Sequence, residues 1–433
     1  MKKFFYILMA AAAMTLYACN SDGDKTKINT VTINVLVDNE KISDVVDVTL
    51  KSKSTSTSYV ASTTAGTATF NVAAGIYEAT ATLYKESAIY NGTNSSVTVT
   101  DDGTNSFNLD MVKSTTSQVI IKELYFGGCM DNAGAKHFAN DAYVTLYNNS
   151  PVEADASNYA FGMVYPANSN TNSNYRKDGE LTYTDYLPCW NAVWWFQSGT
   201  QVKIPAYSQI VIAMKGAIDN TATYSNSVDL SNADYAMYDP EVFTLAAAYP
   251  APSGKIPSSH YLKTYLYGLG TAWPLSNNSP AFVVFSPEGT TAEAFVKTAS
   301  NIEIAGNGKA FACAKVPVSW VMDGVEVYSA TALDKSNKRL LGSVDAGYVK
   351  FTNTLGYTVY RNVDKDATEA LQENSGKLVY NYAGGTADVE NGSTDPSGID
   401  AEASIANGAH IIYKDTNNST NDFHQRKAAS IKK

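Results

Sequence analysis

The stretch TATFNVAAGIYEATATL, residues 67–83, decides the fold class of the chain. Phe70 and Val72 alternate with polar residues before Ala74–Gly75, and Tyr77 opens a second alternating run after that pair. A period of two is typical of a β-strand with one buried face, and a small-residue pair with glycine is typical of a turn. The stretch therefore predicts two strands joined at a hairpin or a corner.

The same alternation continues on both sides, in VTINVLVDN, VDVTLKS, SSVTVT and NSFNLDMV, and turn clusters such as STTAGT and TDDGTN separate these runs. About seven short strands within residues 28–113 predict a small β-sandwich. Together with VDVTLKS and SSVTVT, the opening stretch resembles the transthyretin-like, carboxypeptidase-regulatory type of sandwich. That resemblance implies a spacer or stabilising module that holds no active site.

A polar linker, VKSTTS at residues 112–117, separates this module from a large β-rich domain at residues 118–433. The first segment of that domain is QVIIKELYFGGCM. It predicts a strand with Val119, Ile121 and Glu123 on one face, because alternate side chains of a strand share a face.

A strand within NDAYVTLYNNS, a short loop and a later strand in YSQIVIAMKG, residues 207–216, resemble the lamin-tail type of immunoglobulin-like sandwich. The Asn/Ser/Thr tract at residues 168–173 predicts a long loop insertion between these strands. The expected fold class is therefore mostly β. A small N-terminal β-sandwich is followed by a larger immunoglobulin-like (lamin-tail-like) β-sandwich with long loop insertions.

Seven longer motifs occur in order between residues 119 and 423: VIIKELYFGGC, NDAYVTLYNNS, SVDLSNADY, SPAFVVF, VSWVMDGVEV, NKRLLGSVDAGYV and YKDTNNSTNDF. They resemble an uncharacterised domain-of-unknown-function family of Bacteroidetes outer-membrane lipoproteins. The resemblance implies no assigned reaction. It implies a setting beside TonB-dependent outer-membrane receptors, which is an association and not a mechanism.

The N-terminus, MKKFFYILMAAAAMTLYACNSDGDK, predicts a targeting segment. Two lysines precede a largely apolar run of 14 residues, which is too short to span a bilayer and fits a signal peptide. The run ends at Ala18–Cys19, which resembles a lipobox, so we expect residues 1–18 to be removed and Cys19 to carry acyl chains. The acidic tether at residues 19–27 resembles a surface-export signal.

Three residues carry that export signal, namely Ser21, Asp22 and Asp24. Acyl chains on the cysteine would hold the protein on outer-membrane lipid, since each buried methylene contributes about 0.8 kcal/mol. The predicted location is the outer membrane, lipid-anchored and facing the cell exterior.

The net charge argues against nucleic-acid binding, and the cysteine spacing argues against a zinc site. The chain has 32 basic and 42 acidic residues, a net charge of −10 that argues against nucleic acid as a partner. Cys129, Cys189 and Cys313 remain after the anchor and form no CxxC spacing, so no zinc site is indicated. Three buried reduced thiols are the favoured interpretation, and one disulfide with one free thiol is the alternative.

The aromatic cluster PCWNAVWWFQSG, residues 188–199, is the main candidate for ligand contact. On a strand Trp194 and Phe196 share one face and Trp195 points to the other. Packing within the protein is the favoured interpretation. The alternative is an exposed indole that stacks on a sugar, a porphyrin or a receptor loop. The candidate stacking residues are Trp195, Trp190 and Trp273.

The remaining motifs give weaker evidence for a functional site. Asp415, Asn417, Asn418 and Asp422 crowd YKDTNNSTNDF with oxygen ligands that calcium could use, but such residues more often build turns. The four histidines form no paired-ligand motif, and no nucleophile elbow occurs. The sequence therefore assigns no catalytic residue, no metal site and no cofactor.

These patterns predict a non-catalytic binding or accessory lipoprotein on the cell surface. It would serve nutrient capture with a TonB-dependent receptor, and its ligand is unknown. The first alternative is a structural or adhesive surface protein. The second is an unrecognised glycan hydrolase, because the two carboxylates of such enzymes are typically distant in sequence.

Overall fold

The computed structural model describes residues 26–55, 57–85, 88–114, 116–177, 179–306 and 308–432. The predicted signal peptide lies outside these described residues, as do Cys19, Ser21, Asp22 and Asp24. Within the described ranges, no helix is both long and apolar enough to cross a membrane.

The described part of residues 26–114 forms one eight-stranded sheet. Its strands are β1 Ile28–Val37, β2 Glu40–Lys41, β3 Asp47–Ser52, β4 Ser58–Ser62, β5 Thr67–Ala73, β6 Gly75–Lys85, β7 Ala88–Val99 and β8 Ser106–Ser114. The strand order is β2–β1–β8–β7–β6–β3–β4, and β5 pairs with β1 outside this order, on the edge that β2 also uses.

The opening stretch of sequence is a corner in this sheet. Strand β5 pairs with β1, whereas β6 pairs with β3 and β7, so the two runs on either side of Ala74 belong to different parts of the sheet. Strand β4 contacts β5, so the sheet folds over and encloses one core. Val31, Ile33, Phe70 and Val72 are buried there, each contributing roughly 1.5–3 kcal/mol.

The rest of the described chain contributes the remaining strands and four short α-helices. The strands are β9 Val119–Tyr125, β10 Cys129–Met130, β11 His137–Phe138, β12 Tyr143–Asn148, β13 Ala154–Asp155, β14 Ala160–Met163, β15 Arg176–Lys177, β16 Glu180–Leu181, β17 Tyr186–Trp190, β18 Ala192–Trp195, β19 Lys203–Ile204, β20 Gln209–Ala213, β21 Tyr235–Met237, β22 Tyr261–Leu266, β23 Ala281–Phe285, β24 Ile302–Ile304, β25 Ala312–Pro317, β26 Val321–Ser329, β27 Val349–Phe351, β28 Thr358–Arg361 and β29 Phe423–Arg426. The helices are α1 Ala292–Lys297, α2 Lys365–Ala370, α3 Ala401–Ala406 and α4 Ser419–Asp422.

Twelve strands of the described chain form one continuous curled sheet. Their order is β27–β26–β23–β14–β18–β22–β21–β20–β12–β9–β28–β29. Strand β26 contacts β9, and β27 contacts β29, so the two ends of this order come together. Inward side chains from most strands share one core, including Ile121, Val144, Phe161, Trp194, Ile212, Phe282, Val325, Phe351 and Val359. The predicted mostly-β fold is confirmed.

The predicted face pattern of strand β9 is wrong at one position. Val119 and Ile121 point into the core, but Leu124 and not Glu123 continues that face. The register between β9 and β12 shifts at Thr145, a β-bulge that inserts one residue and reverses the alternation. Glu123 therefore lies on the other face, where its carboxylate accepts hydrogen bonds from the backbone and hydroxyl of Ser430.

A buried ion network fastens the two ends of the curled sheet. Arg361 of β28 is 1% exposed and pairs with Asp323 of β26. Its Nε donates to the carbonyl oxygen of Ile121 at 2.7 Å, and the Ile121 amide donates to Asp323 Oδ2 at 2.6 Å. On the other side, Arg361 Nη1 lies 3.3 Å from Asp415 Oδ1 and 3.9 Å from Asp422 Oδ2. We call these four charged residues the Arg361 network.

An outer layer covers the opposite face of the curled sheet. The three-stranded sheet β17–β25–β24 packs there, and helix α1 contacts β18 and β22. Trp195, Val283 and Phe285 point outward from the curled sheet into this second core and meet Leu187 of β17 and Phe295 of α1. This layer fixes the surroundings of Trp195.

The two sheet systems also contact each other directly. Asn91 and Thr93 of β7 donate side-chain hydrogen bonds to the carbonyl oxygens of Thr416 and Ala346. Lys51 of β3 places its ammonium 5.9 Å from the ring centroid of Tyr348. The segment that contains Thr416 therefore joins the N-terminal sheet to the Arg361 network.

Candidate ligand-binding site around Trp195

The two adjacent tryptophans at the end of β18 lie on opposite faces of the curled sheet, as their alternation predicts. Trp194 and Phe196 are part of the inner core, and Trp195 belongs to the outer layer. Trp195 is 7% exposed, so nearly all of its side chain packs within the protein.

The structure does not bring the three candidate tryptophans together on one surface. Trp273 is 1% exposed and lies in the inner core beside Trp194 and Phe282. Trp190 is half-buried, and its Nε1 donates to the carbonyl oxygen of Ala310 at 2.8 Å. Of the three, Trp195 lines a ligand-sized pocket, and its role in ligand contact stays a prediction.

That pocket has a volume of about 400 Å³, within the usual range for small-molecule sites. We call it the Trp195 pocket. The residues that matter to the argument below are Trp195, Tyr159, Asn158, Ser198, Gln201 and Glu293. They come from the loop before β14, the end of β18 with the loop that follows it, and the start of helix α1.

Local hydrogen bonds hold the loop before β14. Asp155 accepts from the Ser157 amide at 3.0 Å and pairs with Lys203 Nζ at 2.6 Å. The Lys203 hydrogen bond, followed by those from Ser157, lowers the pKa of Asp155 to about 2. Ser157 in turn accepts from the Val202 amide at 2.8 Å, which ties this loop to the strand that follows the second loop.

The loop after β18 is held at both ends. Gln197 donates through Nε2 to the carbonyl oxygens of Ser258 and Tyr261, at 2.9 Å and 2.6 Å. Thr200 donates to the Gln197 carbonyl through its amide at 3.0 Å, which closes a turn. Gly199 has a φ of +85° in that turn, a conformation that side chains other than glycine rarely adopt. Both loops are therefore positioned before any ligand arrives.

Two buried aromatic side chains leave polar atoms unpaired at this pocket. Trp195 is 7% exposed and Tyr159 is 6% exposed, and neither Trp195 Nε1 nor Tyr159 Oη hydrogen-bonds to any described residue. Neither atom is among the sealed, unpartnered polar atoms of the described chain, whereas the indole nitrogens of Trp194 and Trp273 are. Because both residues line the pocket, these two atoms open into it.

The ionisation of the lining follows from burial. Burial, aided by nearby Asp155, raises the pKa of Tyr159 to about 12, so its hydroxyl stays protonated and able to donate. Glu293 is the one carboxylate among the described lining residues, and Lys297 Nζ lies 2.5 Å from it. The pocket therefore offers neutral donors and acceptors and little net charge.

Two other surface pockets have similar volumes but differ in the hydrogen bonding of their donors. One, of about 360 Å³, lies between the N-terminal sheet and the large domain, where Lys338 Nζ already donates to the carbonyl oxygen of Asp345. Another, of about 480 Å³, lies along residues 369–380, where the hydroxyl of Tyr380 donates to Glu369. The Lys338 and Tyr380 donors are thus used within the protein, whereas the Trp195 and Tyr159 donors have no partner among the described residues, and this difference favours the Trp195 pocket.

The candidate calcium motif YKDTNNSTNDF is built into the fold as a set of turns. Asp422 accepts from the amide and hydroxyl of Thr416 at 2.8 Å and 2.7 Å, and from the Asn418 amide at 3.1 Å. The Asn418 side chain accepts from the Thr420 amide at the start of α4. Across the residues described, no group of three or more His, Cys, Asp or Glu residues is placed to hold a metal ion.

The three cysteines of the described chain are free and buried. Burial raises the pKa of all three thiols, Cys129, Cys189 and Cys313. A protonated, buried thiol is a poor nucleophile and behaves as a small core side chain. This agrees with the favoured interpretation from the sequence.

The sequence pointed to Trp195 but not to the other residues that line the pocket. Tyr159 and Gln201 lie 36 and 6 residues away in the chain and belong to no recognisable motif. Tyr159 sits in the apolar run NYAFGMV, where it is indistinguishable from any core tyrosine. The pairing of β14 with β18 brings it to the same pocket as Trp195, although Tyr159 belongs to the inner core and Trp195 to the outer layer.

The fold and the pocket define a mostly-β protein with two contacting sheet systems and a ligand-sized pocket on the outer layer. Residues 207–395 match the family described as a protein of unknown function, DUF4876. No curated protein matches the chain.

One solved structure has a similar fold. It is a DUF4876 family protein from Bacteroides thetaiotaomicron, 20% identical over 91% of this chain and 94% of that one, with a TM-score of 0.51. At this level of identity the likeness extends to the fold.

Proposed function

We propose that this protein is a surface-exposed outer-membrane lipoprotein that binds a small ligand in the Trp195 pocket without chemical turnover. In this proposal it serves nutrient capture beside a TonB-dependent receptor. Cys19 carries the acyl chains, and Ser21, Asp22 and Asp24 direct export. The N-terminal sheet acts as a transthyretin-like spacer, and the large domain is a lamin-tail-like sandwich.

One observation carries the binding role. Two side chains that are more than nine-tenths buried, Trp195 and Tyr159, keep unpaired polar atoms open to a pocket of about 400 Å³. Both atoms are open to solvent, so a ligand that carries oxygen atoms can accept from them without breaking any hydrogen bond within the described residues.

The number of carboxylates in this pocket favours ligand binding over glycoside hydrolysis. Glycoside hydrolysis ordinarily uses two carboxyl groups that flank the scissile bond. Among the described lining residues Glu293 is the one carboxylate, and it is already paired with Lys297.

A ligand screen tests the binding role. The chain from residue 19 onward, carrying Cys19→Ser, is heated with sugars, haemin, a corrinoid and divalent metals. A ligand present at 100 times its Kd stabilises the folded state by about 2.7 kcal/mol, which raises the unfolding temperature. Trp195→Ala should abolish that rise. If no compound raises the unfolding temperature of the parent chain, the binding role is wrong.

A second experiment tests the anchor. Cells that express the full chain are labelled with radioactive palmitate, and whole cells are treated with protease. Cys19→Ala should lose the label, while Cys129→Ala, which changes a buried thiol, should keep it. Label that survives Cys19→Ala, or a chain that resists protease on intact cells, would contradict the surface lipoprotein proposal.

A further inference from the structure

We infer that the Trp195 pocket binds an uncharged sugar. This inference rests on the proposed binding function and names the class of ligand. Three properties of the described lining lead to it: the charge, the hydrogen-bonding groups and the aromatic surface.

The charge of the lining disfavours ionic ligands. Phosphates and carboxylates are held by arginine, lysine or clustered backbone amides. No arginine, lysine or histidine is among the described lining residues, and the one carboxylate, Glu293, is paired with Lys297. Anionic ligands, including the two propionates of haem, would find no cationic side chain in the described lining, and a cation would find a single carboxylate that already pairs with Lys297.

The hydrogen-bonding groups disfavour a purely apolar ligand. An aliphatic chain seated against Trp195 and Tyr159 would displace water from the indole N–H and the phenol O–H and leave both without a partner. Leaving a buried donor unsatisfied costs more than a hydrogen bond gains, so such a ligand would bind poorly. The ligand must supply oxygen atoms at this depth.

The rim offers groups that both donate and accept. Ser198 and Gln201 are exposed at the pocket, and their side chains make no hydrogen bond to another described residue. Asn158 uses its Nδ2 to donate to the carbonyl oxygen of Pro287 at 2.7 Å, which leaves its carbonyl oxygen available. Hydroxyl groups also donate and accept, so a polyhydroxylated ligand matches this set.

The aromatic side chains complete the match. Trp195 and Tyr159 each combine an apolar ring with a polar tip that opens into the pocket. A pyranose has the same combination, since its C–H groups form apolar faces and its hydroxyls project from the edge. A neutral sugar can therefore place C–H groups against the small exposed part of each ring while its oxygens accept from Trp195 Nε1 and Tyr159 Oη.

Calorimetric titration of the chain from residue 19 onward, carrying Cys19→Ser, tests the inference. The probes are glucose, galactose, mannose, N-acetylglucosamine and short neutral oligosaccharides of each, with haemin and citrate as charged comparisons. We expect at least one neutral sugar to bind. Trp195→Phe and Tyr159→Phe each remove one donor and keep a ring, so each should weaken binding about fivefold to tenfold.

Matched controls separate the site from the fold. Trp190→Phe and Tyr265→Phe are the same substitutions outside the pocket and should leave the affinity unchanged. Unfolding temperatures of all variants show whether a weakened variant is still folded.

The outcomes distinguish this inference from the function on which it rests. If haemin or citrate binds, loses affinity in Trp195→Phe and is not joined by any sugar, the pocket is a binding site and the sugar assignment is wrong. A sugar that binds equally well to both pocket variants and the controls also overturns the assignment. If none of the probes binds, both proposals fail.

Discussion

The polar groups of the Arg361 network are hydrogen-bonded within the protein, whereas two polar groups at the Trp195 pocket are not. At the network, Arg361 is surrounded by three carboxylates, and it also donates to the carbonyl oxygens of Ile121 and Lys414. At the pocket, Trp195 and Tyr159 are nearly as deeply buried, yet their polar atoms have no partner among the described residues.

This difference indicates that the network contributes to stability and the pocket to ligand binding. Satisfied buried charges join strands β9, β26 and β28, and they contribute to the fold only while every partner is present. Unpaired donors contribute nothing to folding and remain available to a ligand. We therefore expect substitutions in the network to change stability, and substitutions at the pocket to change affinity.

The largest effect is expected at Arg361. Arg361→Met leaves the buried carboxylates of Asp323, Asp415 and Asp422 without their cation. Breaking a buried pair in this way costs roughly 3–5 kcal/mol in the free energy of unfolding. Urea unfolding at neutral pH measures the loss. In the double variant with Asp323→Asn the total loss should be smaller than the sum of the two single losses.

A smaller effect concerns pH and His424, which neighbours the network on β29. His424 is buried between Tyr382 and Asn362, with hydrogen bonds of 2.8 Å and 2.7 Å. Burial, and then Arg426, lowers its pKa from 6.5 to about 3. A folded-state pKa below the unfolded value means that stability is present above pH 6.5 and is lost as the pH falls.

Between pH 7 and pH 5 this group should remove about 2 kcal/mol of stability. His424→Gln has no titrating group there, so its free energy of unfolding should fall less over the same interval. Parallel urea unfolding curves at the two pH values provide the check. Equal pH dependence in the parent and the variant would show that His424 is not responsible.

A matched pair of tyrosines sharpens the comparison directly. Tyr147 is buried, and its hydroxyl donates to the carbonyl oxygen of Ile411 at 2.7 Å, whereas the Tyr159 hydroxyl has no partner among the residues described. Tyr147→Phe should lower the free energy of unfolding by about 1–1.5 kcal/mol, and Tyr159→Phe by less than about 0.5 kcal/mol. Comparable losses would contradict the unpaired state of the Tyr159 hydroxyl.

The smallest effect is expected at the exposed pair Lys203 and Asp155, which lies beside the pocket. Exposed pairs contribute roughly 0–1 kcal/mol, so Lys203→Ala should barely change stability. Its effect should be seen instead in the pKa of Asp155, which lies at about 2 and should rise toward 3.8 when the lysine is removed. NMR titration of the Asp155 carboxyl measures that rise. An unchanged pKa would assign the depression to Ser157.

Local patterns predicted much of the fold. Alternation placed the strands around residues 67–83 and put Trp194 and Trp195 on opposite faces, because strand geometry is a property of neighbouring residues. Glu123 was misplaced because a β-bulge depends on the partner strand, and no local pattern reveals the shift at Thr145. The corner at Ala74 was left open for the same reason, since pairing decides between a corner and a hairpin.

The candidate site was only partly visible in the sequence. The sequence pointed to Trp195, Trp190 and Trp273 alike, and only the position of Trp195 at the pocket tells it apart from the other two. The motif YKDTNNSTNDF suggested either calcium or turns, and the choice depended on Arg361, which lies more than fifty residues earlier in the chain.

The sequence by itself determined the mostly-β class, the opposite directions of Trp194 and Trp195 and the absence of any recognisable catalytic motif, since these follow from periodicity and spacing. Only the tertiary structure decided that Tyr159 and Trp195 line one pocket and that two of their polar atoms have no partner among the described residues. Whether a donor is satisfied depends on what lies across space from it. That is set by strand pairing between distant segments and not by the residues on either side.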